Sequence, residues 1–188
     1  FLKGVRDTYG ERVKFKSLDL SGAYQPDEAI EVIHRFKDYG FMLVESPCQS
    51  IEGKAKVRQA VDLPISEHTS SFSHALELAT QGAVDIFNTA VVSAGIRHAM
   101  KIFALAEAFG IKMLIGTTQE LSIGTAAQAH LGAAVPNLEY PCDPAGGRLY
   151  IKDVVKELVQ YENGYLIVPE GPGLGMEIDQ DKLKAACV

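Results

Sequence analysis

Short apolar runs recur along this chain, and the stretches between them place apolar residues every three or four positions. The runs lie at about 13–19, 41–45, 63–67, 84–92, 112–116 and 137–141, and they predict six strands. Between the first two, Pro26 to Phe36 has helical spacing, with proline and acids at the start where the helix dipole favours them. Ser71 to Ala79 and Ile96 to Phe109 repeat the helical period. Gly40, Gly82 and Gly110 each follow a helical stretch just before a strand, as left-handed C-caps do. Regular alternation of strand and helix predicts an α/β fold with a parallel sheet or barrel. Six β/α units are two short of a closed eight-unit barrel, and an open six-stranded sheet suits the same pattern. The chain opens without Met, on Phe1 to Arg6, which reads as the middle of a helix. That start favours a barrel whose first units precede residue 1.

Composition narrows the picture. At 188 residues with 47% hydrophobic side chains, the chain holds one domain, or a large part of one, with ample material for a core. A net charge of −6, without basic runs, argues against a nucleic-acid surface. No apolar run approaches the length of a membrane span, and the start lacks the layout of a signal peptide. Cys48, Cys142 and Cys187 are an odd number without metal-ligand spacing, so they fit a reducing compartment, the cytoplasm, and a packing role.

Three of the runs end on an acid: Asp19, Glu45 and Glu67, separated by 26 and 22 residues, about one β/α unit each. In a parallel barrel the C-terminal ends of successive strands converge on one mouth. Three carboxylates gathered there repel one another unless a cation holds them, and an all-oxygen set suits a hard ion such as Mg²⁺. The same spacing also suits three unrelated solvated acids.

At this point the residues resemble a known family. "DLSGAYQPDEA" at 19–29, "VESP" at 44–47, "PISEH" at 64–68, "SAGIRHAMKIFALAEAFGIKM" at 93–113, "GTTQELSIGTAAQAHL" at 116–131 and "GYLIVPEGPGLGMEID" at 164–179 stand in the order of one barrel. It is the C-terminal barrel of the mandelate racemase/muconate lactonizing enzyme branch of the enolase superfamily. The resemblance implies a modified TIM-type (β/α)7β barrel, with the first strands and an N-terminal cap domain outside this chain. Residues 1–160 would be strands 3 to 8 of the catalytic barrel, and 161–188 a segment returning toward the cap domain. It also implies Mg²⁺ held by Asp19, Glu45 and Glu67, gripping the carboxylate of a small substrate while the neighbouring α proton is removed and an enediolate forms. An ungapped register instead puts His68 at the third ligand position. With Glu67 kept there, His68 becomes a candidate base or substrate contact, or else a hydrogen-bonded rim histidine. Asp143 falls near the family's eighth-strand acid, with Glu139 a rival by register, and Glu120 is the remaining acid near the mouth. Asp143 reads equally as a solvated loop acid, and Glu139 more readily so.

Departures from the family pattern bear on the reaction. Ser21 replaces the usual Asn, Asn88-Thr89-Ala90-Val91 contains neither the Lys nor the Asp base expected at the sixth strand, and Gly116 falls where the racemase subgroup carries His. Lys14-Phe15-Lys16 imitates the family's Lys-x-Lys, but strand alternation puts both lysines on the face away from Asp19, toward helices or solvent. "GPGLG" at 171–175 lacks the strand before it and the Lys-Ser/Thr after it that a phosphate loop needs. One retained base favours a dehydratase or cycloisomerase of a hydroxy- or sugar-acid. The alternatives are a racemase or epimerase of the same family, and a catalytically silent barrel with a binding or assembly role. The resemblance further implies self-association into homo-oligomers.

Overall fold

The computed structural model describes residues 1–136 and 138–187. After helix α1 (Leu2–Tyr9), strands and helices alternate: β1 (Phe15–Asp19), α2 (Pro26–Phe36), β2 (Phe41–Glu45), α3 (Ile51–Ala60), β3 (Ile65–His68), α4 (Phe72–Thr80) and β4 (Ile86–Thr89). A short α5 (Val91–Ala94), α6 (Ile96–Phe109), β5 (Lys112–Ile115) and α7 (Ser122–Ala134) complete the repeating part. The five strands pair in chain order and all in parallel. Each parallel crossover carries a helix, as the geometry of the connection demands. The arrangement is an arc of a TIM-type barrel.

Both faces of the sheet are buried, and neighbouring residues of one strand serve different cores. Leu43, Ile86 and Leu114 meet inside the curve of the sheet, with Tyr140 and Cys142 against them. Val44, Ile65, Phe87, Met113 and Ile115 point the other way, into a larger core with Ile33, Val57, Leu78, Ile102 and Leu131 of the helices. This explains why the strand sequences read as continuous apolar runs instead of alternating ones. α2 begins on a reciprocal cap, in which Gln25 and Glu28 satisfy each other's backbone N–H groups, with Pro26 in the first turn. α6 ends at Gly110, whose φ of 67° is the left-handed cap the sequence predicts.

Past α7 the chain departs from expectation. Leu138 makes an isolated parallel bridge to Met113, and Asn137 lies outside the described residues. The Glu139 N–H reaches Met113 O at 3.4 Å, but the next bond along β5 is made by Asp143, whose N–H reaches Ile115 O at 2.9 Å. Pro141 has no N–H to offer at the intervening ladder position, so the segment runs along β5 without becoming a strand. Farther on, β6 (Tyr161–Glu162) and β7 (Tyr165–Leu166) form a hairpin whose turn residues Asn163 and Gly164 both have positive φ. Residues 177–179 pair with 154–156, leading into α8 (Gln180–Ala186). Among the described residues no helix is long and apolar enough to cross a membrane.

Candidate active site at the mouth of the sheet

The strand register decides which side chains share the mouth. Asp19 lies beside Glu45, and Glu45 lies beside Ser66, so the next residue of β3 on the face of Glu45 is His68. His68 in turn lies beside Asn88. Ladder bonds continue past the strand ends: the Leu20 N–H reaches Glu45 O at 2.9 Å and the Ser46 N–H reaches Ser66 O at 3.0 Å. Ser21 and Ser46, just beyond Asp19 and Glu45, adopt φ of 49° and 45°. Such left-handed backbone at residues other than glycine is costly and collects where side chains must be aimed.

Glu45 is the centre of the cluster. Its Oε1 lies 2.7 Å from His68 Nε2 and accepts a hydrogen bond of 3.0 Å from Asn88 Nδ2, while Oε2 accepts one of 3.1 Å from Ser17 Oγ. The His68 contact holds the Glu45 carboxyl below its ordinary range, outweighing the burial that pushes the other way. By the same bond, and by the nearby charges of Glu45, Glu67 and Asp19, the imidazole is held above its ordinary value. His68 keeps its side chain 53% exposed, facing a cleft of about 400 Å³ lined also by Asp19, Ser21, Ser46, Lys54 and Glu67. With Nε2 committed to Glu45, Nδ1 is the nitrogen open to a ligand.

The other expected residues fall differently. Asp19 is exposed and its Oδ1 is bonded by its own turn, from Ser21 N at 2.7 Å and Ser21 Oγ at 3.2 Å. Glu67 borders the cleft, but its register partner is Phe87 of the helix-side core, and its carboxylate is turned toward α3. There Oε2 lies 3.1 Å from Lys54 Nζ, a pair whose side chains are only 6% and 10% exposed. Oε1 accepts bonds from Ser46 Oγ at 2.9 Å and His68 N at 2.8 Å. Glu120 folds back on its own loop, its Oε2 accepting from Thr117 Oγ1 at 3.0 Å and Thr118 N at 3.1 Å. Asp143 is ion-paired with Lys16, and Glu139 with Lys112. The first of these pairs corrects the expectation for Lys16. Its long stem leaves the side that alternation assigns it and reaches the segment beyond β5, whereas Lys14 stays exposed beside Glu11.

The acids do not fit a Mg²⁺ cage as they stand. Mg²⁺ asks for near-octahedral oxygen coordination at about 2.0–2.1 Å. Of the six carboxylate oxygens of Asp19, Glu45 and Glu67, only Asp19 Oδ2 has no protein donor among the described residues. Among the same residues, no group of three or more His, Cys, Asp or Glu is placed to hold a metal ion.

Two members of the cluster escape a search of the strand ends for acids and bases. Asn88 is buried, donates to Glu45 and, among the described residues, leaves its own Oδ1 without a partner. A side chain on Gly116 would run into that amide, so the bare glycine and Asn88 occur as a complementary pair. Lys54 is the second. Its place on α3, the helix that follows Glu45, carries no signal, because a lysine on a helix between strands is ordinarily solvated.

Comparison with known proteins gives one consistent answer. The family described as "Enolase C-terminal domain-like" matches residues 1–182. Chloromuconate cycloisomerase of Pseudomonas putida is 30% identical over 97% of this chain and 50% of its own length. Muconate cycloisomerase 1 of Acinetobacter baylyi is 31% identical over 96% of this chain and 50% of its own length. Among solved structures, a substrate-liganded complex of the L-Ala-D/L-Glu epimerase from Bacillus subtilis superposes with a TM-score of 0.86 at 30% identity, over 93% of this chain and 50% of that one. Muconate cycloisomerase from Pseudomonas fluorescens gives 0.92 at 25% identity, over 98% and 52%. The chain spans about half the length of the curated relatives it matches.

Proposed function

Because this chain belongs to the enolase C-terminal domain-like family, we propose that it supplies the catalytic mouth of an isomerase, of cycloisomerase or epimerase type, acting on a small carboxylate-bearing substrate. The observation that carries the reading is the bond between His68 Nε2 and Glu45 Oε1, 2.7 Å long, at the ends of two adjacent strands. It fixes the proton on Nε2 and leaves Nδ1 as a base facing the cleft. In the proposed step the α C–H bond of the substrate breaks and its proton passes to Nδ1. The electron pair enters the substrate carboxylate as an enediolate, and the imidazolium that results stands beside that new charge. Glu45 stabilises the imidazolium, as an orienting carboxylate does in other histidine-based sites. Returning the proton to the same or a neighbouring carbon completes the isomerisation. Since the fold raises the basicity of His68, the reactive neutral imidazole accumulates only as pH climbs past the ordinary histidine range. The rate should therefore rise with pH through that raised value.

The test is deuterium exchange from D2O into cis,cis-muconate-derived lactone and into L-Ala-L-Glu, offered to the intact protein. The α proton is expected to exchange, with the pH dependence just described. His68→Asn should lower the rate about 10²-fold or more in a protein that remains folded. Exchange that survives His68→Asn at full rate removes His68 from the chemistry. A second reading is favoured by Ala90 and Gly116, which leave the neighbouring strand ends without a base. It makes the barrel a carboxylate-binding protein, and binding of either compound without any exchange would select it.

A further inference from the structure

We infer that His68, not Glu67, fills the third ligand position of this mouth, and that the protein in consequence takes up no Mg²⁺ there. This does not depend on the reaction proposed above. Three observations lead to it. The first is register: Asp19, Glu45 and Ser66 stand side by side, and two residues along β3 from Ser66, on the same face, is His68. The second is the engagement of Glu67, which is saturated by Lys54, Ser46 and the His68 N–H on the side of β3 that meets α3. Turning Glu67 toward Asp19 would strand a buried ammonium, at the high cost of an uncompensated buried charge. The third is Glu45, whose oxygens are already bonded by His68, Asn88 and Ser17. A Mg²⁺ ion entering here would have to break these bonds and would gain an imidazole, a poor ligand for so hard an ion. The imidazole ring thus occupies the space, and bonds the carboxylate, that an ion would otherwise take.

The inference predicts a gain of binding. His68→Asp restores an acid at the third position, releases Glu45 Oε1 from its imidazole partner and leaves the Lys54–Glu67 pair intact. Mg²⁺ binding is to be measured by titration calorimetry, with the thermal midpoint at millimolar Mg²⁺ as an independent readout. The wild-type protein should give no saturable heat and no shift in midpoint. His68→Asp should bind with a dissociation constant at least tenfold below the highest Mg²⁺ concentration tested, and Asp19→Asn added to it should abolish that binding. Saturable wild-type binding that Glu67→Gln removes would overturn the inference and return Glu67 to the ligand set. Failure of a folded His68→Asp to bind would also overturn it, since histidine would then not be what excludes the ion. His68→Glu serves as the second variant if His68→Asp does not fold.

Discussion

Two acids one strand apart, Glu45 and Glu67, occupy opposite electrostatic roles although both end an apolar run. Glu45 points into the curve of the sheet and bonds the half-exposed imidazole of His68, which lines the cleft. Glu67 is spent on a buried lysine. Such a pair contributes little net stability as a pair, yet removing one partner leaves a bare charge in the interior. Lys54→Met should therefore destabilise the fold by about 3–5 kcal/mol, read as a lower urea midpoint. Adding Glu67→Gln to it should recover most of the loss. If Lys54→Met alone were neutral, Glu67 would have another partner to turn to, and its assignment to the helix side would fail. At this scale the sequence showed the acids but not their directions. A single-residue difference between Glu67 and His68 on β3 exchanges the two faces, and only the pairing of β3 with β2 settles it.

At the scale of elements, helices and strands follow from local signals. Pro26 with its reciprocal cap starts α2, Gly110 stops α6, and continuous apolar runs make strands buried on both faces. The expected sixth strand fails for a local reason too, since Pro136 and Pro141 flank Leu138 and remove ladder donors. Pairing is therefore uneven across the sheet. β2, β3 and β4 have a strand on each side, whereas β1 is bonded to β2 alone and β5 meets only a bridge on its far side, among the described residues. Amide hydrogen exchange should run slowest in Leu43–Glu45, Ile65–Glu67 and Ile86–Asn88, and measurably faster in β1 and β5. Equal protection of β1 and the central strands, measured by mass spectrometry on peptic fragments, would show that β1 is covered by something other than β2.

Over the whole molecule, the inner core of Leu43, Ile86 and Leu114 is shut off by Tyr140 and Cys142, while Lys16 of β1 reaches across to Asp143. The thiol of Cys142 is pushed up by burial, and Cys48, inside the helix-side core, is pushed up likewise. Cys187 lies exposed in the last turn of the described chain. Iodoacetamide should thus modify Cys187 alone in the native protein and all three cysteines after denaturation. Alkylation of Cys142 at the rate of Cys187 would mean that the interior of the sheet is open to solvent. This closure joins residues 127 positions apart, and no local pattern announces it. What the sequence determined by itself is the succession of elements, the parallel class and the set of acids at the strand ends, because propensity, capping and apolar runs act over a few residues. Tertiary structure alone decided which of those acids face one another, which are neutralised by Lys54 or Lys16, and that His68 stands with Glu45. Those outcomes depend on strand register and on charge pairs between distant segments, and their energies exist only once the chain has closed upon itself.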